Sequence, residues 1–199
     1  RLPEELLQKL FGKVAQDLSE KVTGEDLWCG RHLKVIDGST VSMPDTVENQ
    51  KAYPQPKSQK PGCGFPIAKI GMIFSLTTGA AIALAIDVLN THDLQLARKL
   101  YQFLNRFDVI LGDRAFCAYA DLVAIKNLGC DAVFRKHQSR KTTMCKGKMI
   151  GDCDKLVTWH KPKKCPKGLT ESEFLALPST LTVREIYYYI IIPGFRTER

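Results

Sequence analysis

The sequence predicts a mixed α/β fold whose first elements run β-β-β-α-β-α-β and which ends in a basic, β-rich insertion. Three features carry that expectation. Short apolar runs early in the chain are punctuated by Gly and Pro, apolar residues at helical spacing occupy the middle, and the excess positive charge is confined to one later segment.

Residues 3–21 place Leu6, Leu7, Leu10, Phe11, Val14 and Leu18 at three- and four-residue steps behind Pro3, which predicts an amphipathic helix. Residues 32–43 read as a strand built on Leu33, Val35, Ile36, Thr40 and Val41, and Asp37 stands out there because strands are depleted in Asp. The Pro- and Gly-rich residues 44–66, with Asn49, Gln50, Gln55, Lys57, Ser58, Gln59 and Lys60, predict a long surface loop without regular structure. Residues 67–77 and 81–89 are apolar runs joined at Thr78-Gly79-Ala80, a hairpin that completes an antiparallel meander. Thr91 is placed to cap a helix running through Leu94, Ala97, Leu100, Tyr101 and Leu104; the strand at residues 107–111 then ends in Gly112-Asp113-Arg114. Residues 115–128 are helical by periodicity, Gly129 suits the C-cap, and residues 131–134 return to strand. Residues 181–192, with Tyr187, Tyr188, Tyr189 and four isoleucines, predict a strand that pairs with residues 155–160. No internal repeat is visible. The expected organisation is a helical lead-in (1–30), the first part of a core (31–135) and the basic insertion (136–199), with the core cut after it.

The 199 residues and 44% hydrophobic content suit one sizeable domain with a small insertion. The richest apolar run, residues 67–89, is broken by Lys69, Thr77, Thr78, Gly79 and Asp87. It falls short of the ~18 to 20 uninterrupted apolar residues of a membrane-spanning helix, so no membrane association is expected. The chain starts at Arg1 without a basic-then-apolar leader and ends just past a strand, so both ends read as cut. Seven widely spaced cysteines without a secretion leader point to reduced thiols and a cytoplasmic protein.

The net charge is +8, and it is unevenly spread. Residues 135–167 hold eleven of the 29 basic and two of the 21 acidic side chains, a charge of +9; the remainder, 18 basic against 19 acidic, carries −1. Charge localised in this way suits a polyanion, because neutralising phosphates releases condensed counterions. A solvated loop that uses Lys for solubility is the competing reading.

Phosphoryl-transfer enzymes that use two metal ions need carboxylates from separate elements converging on one point. Asp37 and Asp113 answer that need if the fourth strand pairs beside the first, which is the ribonuclease H arrangement. The competing readings are local: Asp37 as a turn or bulge residue before Gly38, and Asp113 as the N-cap of the following helix.

The run Val35-Ile36-Asp37-Gly38-Ser39-Thr40, then Gln59-Lys60-Pro61-Gly62-Cys63-Gly64-Phe65-Pro66, Thr91-His92, Asp113-Arg114-Ala115-Phe116-Cys117 and Asp131-Ala132-Val133-Phe134-Arg135 resembles the insertion-sequence-four family of DDE transposases. The resemblance covers nearly the whole chain. It implies a ribonuclease H-like core and metal-dependent DNA cleavage and strand transfer, with Asp37 and Asp113 as the first two members of the catalytic triad. It also implies two Mg2+ ions, replaceable by Mn2+, double-stranded DNA as substrate, a homodimer on DNA, and association with the nucleoid. The family's third carboxylate is a Glu in a Tyr-x2-Arg-x3-Glu-x6-Lys signature, and no Tyr here has Arg three residues on. Glu185, in a β stretch, and Glu198 are poor substitutes. The chain as given is therefore expected to bind metal weakly and not to cut DNA.

Arg114, Arg135, Lys136, Arg140, Lys141, Lys161, Lys163 and Lys164 are the expected DNA contacts, with Arg114 as readily a solvated side chain. Trp159 either packs at a surface or, by the resemblance, holds a flipped base. Cys145, Cys153, His160 and Cys165 lack zinc-pair spacing, and no nucleophile elbow surrounds Ser39 that His92 would serve. A catalytically inactive DNA-binding remnant and a non-transposing nuclease of the same fold are the competing functions.

Overall fold

The computed structural model describes residues 2–137, 140, 147–188 and 193–194. The chain forms two compact units, residues 1–138 and 139–199. The first contains α1 (Glu4–Ser19), β1 (Leu33–Ser42), α2 (Val47–Ala52), β2 (Ile67–Ser75), β3 (Ala81–Val88), α3 (Asp93–Leu100), β4 (Val109–Gly112), α4 (Tyr119–Asn127) and β5 (Asp131–Phe134). Its five strands are ordered β3-β2-β1-β4-β5. The meander is antiparallel, whereas β4 lies parallel to both β1 and β5. This is the ribonuclease H-like mixed sheet expected from the sequence.

Strand alternation gives the sheet two distinct faces. On one, Ile36, Ile73, Ala83, Ala85 and Ile110 pack with Leu96, Ala97 and Leu100 of α3 and Ile125 of α4 into a single buried core. Helix α3 lies close because the paired Gly38 and Gly71 leave room for it. A Cβ added at Gly71 would sit 3.0 Å from the Leu96 Cβ, and one at Gly38 would sit 3.1 Å from Asp93 Oδ1. The Leu96 Cβ is fixed by its helix backbone, so Gly71→Ala is expected to cost about 1 to 3 kcal/mol through overpacking. Gly12, in the middle of exposed α1 with nothing within 4 Å of an added Cβ, is the contrast. Gly12→Ala should stabilise by up to about 1 kcal/mol through helix propensity. Urea midpoints moving in opposite directions would establish both; equal midpoints would refute the close-packing account.

Two buried ion pairs tie the elements together. Arg98 on α3 clamps the carboxylate of Asp121 on α4 with Nε at 2.9 Å and Nη2 at 2.8 Å, and the Tyr101 hydroxyl donates to the same group at 3.2 Å. Burial first, and the Asp121 charge second, push the Tyr101 phenol far above its ordinary range, so it remains a donor at any working pH. Lys34 on β1 meets Asp108 at 2.6 Å and donates to the Phe103 carbonyl at 3.0 Å. Asp108 also accepts from the Asn105 amide, which fixes the approach to β4 beside β1.

Several local expectations are corrected. Residues 44–66 are not devoid of regular structure: α2 forms there because the Thr46 side chain accepts from the Asn49 amide as its N-cap. The cap of α3 is His92 rather than Thr91, with Nδ1 accepting from the Leu94 amide. That helix stops at Leu100 and tightens into a 3-10 turn at Tyr101–Phe103, short of Leu104. Helix α4 begins at Tyr119, not Ala115, because residues 113–118 form turns bonded to the Asp113 and Arg114 carbonyls. The expected C-cap holds, with Gly129 at φ +75° following α4. Helix α1 forms as expected, but Leu6, Leu7, Leu10 and Val14 are exposed.

The second unit is a three-stranded antiparallel sheet, β6 (Lys148–Gly151), β7 (Asp154–His160) and β8 (Thr180–Ile186), with α5 (Glu171–Ala176) between the last two. The expected pairing of residues 155–160 occurs, from Lys155↔Glu185 to His160↔Thr180. Strand β8 ends at Ile186, and residues 189–192 of the longer predicted strand lie outside the described residues. Thr170 and Glu173 cap α5 reciprocally.

Candidate active site

Asp37 sits within β1 and Asp113 directly follows β4. The two strands are adjacent, parallel and in register at Leu33↔Val109, Lys34↔Ile110 and Val35↔Leu111. Asp37 lies two residues beyond Val35 in β1, and Asp113 comes two residues beyond Leu111, directly after the end of β4. A Cβ on Gly112 would lie 3.0 Å from the Ile36 Cγ2 and 3.0 Å from the Phe134 ring, so only glycine fits between β1 and β5 there. Val35, Met72 and Leu111 are half-buried around the position of Asp37, and Leu84, Ile86 and Val133 on this face are exposed.

The local alternatives do not describe these residues. Asp37 pairs regularly with Met72 in the β1–β2 ladder, which has no register shift; the one at Ile73/Phe74 belongs to the β2–β3 pair. Asp113 is not the N-cap of α4, which is Ala118. Each carboxylate is exposed and tethered through one oxygen to a nearby backbone amide: Asp37 Oδ1 accepts from Gly38 at 2.8 Å, and Asp113 Oδ1 from Ala115 at 2.7 Å. Among the described residues neither forms an ion pair. Exposed carboxylates are hard oxygen donors of the kind that hold divalent cations. Among the described residues no group of three His, Cys, Asp or Glu side chains is placed to hold a metal.

The cationic residues fall into different settings. Arg114 is exposed beside Asp113. Arg135 is also exposed, and its backbone amide donates to the Gly112 carbonyl at 3.3 Å, which puts it at the edge of the sheet that carries Asp113. Lys136 is half-buried. Within the second unit, Lys163 and Lys164 are exposed. Lys161 instead donates to the Leu175 and Leu177 carbonyls, both at 3.2 Å, and lies over the Phe174 ring. Its charge is used inside the unit. Arg140 stacks 3.6 Å over the Trp159 ring, and Lys141 lies outside the described residues.

Trp159 is buried rather than packed at a surface, and its indole N–H donates to Glu185 at 3.0 Å. That bond, with Lys155 4.0 Å from the other oxygen, occupies Glu185 as a structural acceptor. Glu198 and Cys145 lie outside the described residues. The buried Cys130 thiol is pushed up by desolvation and donates to the Asn105 carbonyl, consistent with a reduced, unreactive side chain. No described helix is long and apolar enough to cross a membrane.

Residues 28–188 match the family model of the transposase DDE domain. Over 116 residues, 58% of this chain, the sequence is 29% identical to the transposase InsG for insertion sequence element IS4 of Escherichia coli strain K12. The match spans about a quarter (26%) of that relative's length. No solved structure matches the chain significantly.

Proposed function

Because the chain belongs to the transposase DDE domain family, we propose that it forms the catalytic part of an enzyme that cuts the ends of an insertion sequence and joins them to target DNA. The observation that supports this reading is that Asp37, within β1, and Asp113, directly after β4, come from adjacent parallel strands. These two side chains hold divalent metal, Mg2+ in the cell with Mn2+ as substitute, and two ions serve the complete site. When bound, such ions lower the pKa of the attacking water or 3′-hydroxyl and stabilise the leaving oxygen.

The chain's own residues orient the reaction. The Gly38 and Ala115 amides each hold one carboxylate oxygen, which fixes how the other oxygen faces the metal. Arg114 and Arg135 flank the Asp113 edge, where an exposed guanidinium meets phosphate. Glu185 is committed to Trp159 and does not serve as a third carboxylate. The substrate is double-stranded DNA, two copies of the protein hold the paired ends, and the enzyme works on the nucleoid in the cytoplasm.

The test is an assay of the intact protein on its element's own ends with Mg2+. Cleavage followed by strand transfer is the expected result. Cleavage without transfer would make it a nuclease of this fold, and DNA binding without either activity would make it a remnant.

The segment 136–199 is proposed to be a backbone-contacting insertion. Replacing Lys163 and Lys164 by Ala should weaken binding to unrelated duplexes alike and lower the salt slope by about 1.8, roughly 0.9 per phosphate contact. Lys161→Ala should instead lower the melting temperature, since two carbonyls lose their donor. An unchanged slope in the double variant, measured by fluorescence anisotropy across salt concentrations, would remove the insertion from the interface.

A further inference from the structure

Strand β1 does not end at the carboxylates. It continues from Gly38 to Ser42, paired throughout with β2 up to Ser42↔Ile67, whereas its pairing with β4 stops at Val35↔Leu111. Five further residues carry this hairpin roughly 16 Å past the level of Asp37. At its end the Met43 amide bonds the Pro66 carbonyl at 2.9 Å, closing the loop of residues 44–65.

That loop is held in one shape by two side-chain amides. Gln50 donates to Asp45 Oδ1 (2.8 Å) and the Gly64 carbonyl (2.9 Å) and accepts from the Gln55 amide (3.1 Å). Gln55 donates to the Gln59 and Lys60 carbonyls (3.3 and 2.8 Å) and accepts from the Gly62 and Gly64 amides (3.1 and 3.3 Å). Pro54, Pro56 and Pro61 restrict the same stretch further. Residues 53–65 contain no acidic side chain, and Lys57 and Lys60 are exposed, with no ion pair among the described residues. Phe65 is 63% exposed beside them. Seven hydrogen bonds from two glutamines far exceed what a solvated connection between two strands requires. They make sense where ordering must precede binding, because a preformed loop loses little entropy on contact.

We propose that residues 53–65 form a rigid clamp that contacts the phosphate backbone of duplex DNA through Lys57 and Lys60, with Gln55 as the positioning residue that holds Lys60. The inference rests on the DNA-processing reading above. A duplex lying across Asp37 and Asp113 is about as wide as the hairpin's overhang is long, so its backbone passes this loop on the way out of the site.

The experiment uses this chain and a duplex of arbitrary sequence. Lys57→Ala/Lys60→Ala should lower the salt slope of binding by about 1.8, at roughly 0.9 per lost phosphate contact. Gln55→Ala should weaken binding while leaving the slope nearly unchanged, since it keeps both charges and loses only their placement. Cys63, exposed in the loop, supplies a readout independent of affinity, and the exposed Cys29, before the start of β1, is its control. Duplex should slow alkylation of Cys63 and leave that of Cys29 unchanged. Duplex binding with an unchanged slope in the lysine variant and no protection of Cys63 overturns the clamp and leaves the DNA reading standing. Failure of the unaltered chain to bind any duplex at low salt overturns both.

Discussion

Asp37→Asn and Asp113→Asn, each made in the intact protein, are expected to reduce metal-dependent end cleavage by at least about a hundredfold, the scale of loss that a 1 Å misplacement of reacting groups produces. Asn keeps the shape and the amide tether but removes the charge that a divalent ion requires. Both side chains are exposed and unpaired among the described residues, so folding should be little affected. Neither side chain has an ion pair to lose among the described residues, so each variant should melt at about the same temperature as the parent. Lost activity with retained melting temperature and DNA affinity is the expected pattern. A variant that cleaves within threefold of the parent would remove its carboxylate from the catalytic set.

Asp121→Ala should have the largest effect on stability. Asp121 is fully buried and takes two bonds from Arg98 and one from Tyr101. Its removal leaves a largely buried guanidinium without its counter-charge, which typically costs about 3 to 5 kcal/mol. Against a total stability of roughly 5 to 15 kcal/mol, that brings the chain close to unfolding. Asp121→Asn, which can still accept from Tyr101, should lose less. Urea denaturation followed by circular dichroism measures both, and a loss under about 1 kcal/mol for the alanine variant would show that this network does not join α3 to α4.

The elements most legible in the sequence are those with a strong local pattern. The meander follows from apolar runs around Gly79, and the parallel placement of β4 beside β1 from the one arrangement that gives both strand-associated aspartates a role. Asp37 can be singled out because its residue type conflicts with its strand. What was hidden depends on contacts between residues far apart in sequence or on side chains bonding to backbone. Asp108 sits inside the run expected to be an apolar strand, and nothing local in that run shows that Lys34 lies against it. Arg98 and Asp121 look like ordinary polar positions on two helices and Tyr101 like part of an apolar helix face, although an Asp amid the apolar residues of α4 is a usable signal. The order of residues 44–66 has no periodicity, because it comes from the carboxamides of Gln50 and Gln55. Lys161 illustrates the limit of charge counting, since it counts toward the basic segment yet spends its donors on two carbonyls.

The most direct test of the shared metal site is a Mn2+ titration of this chain, followed by electron paramagnetic resonance of the free ion. It should be run on the parent, on Asp37→Asn, on Asp113→Asn and on the double variant. One site built from both carboxylates predicts weak binding by the parent and at least about a tenfold loss in either single variant. It also predicts a double variant no worse than the singles, because the two groups act on the same ion. Parent-like binding by either single variant, or losses that simply add in the double, would contradict the site.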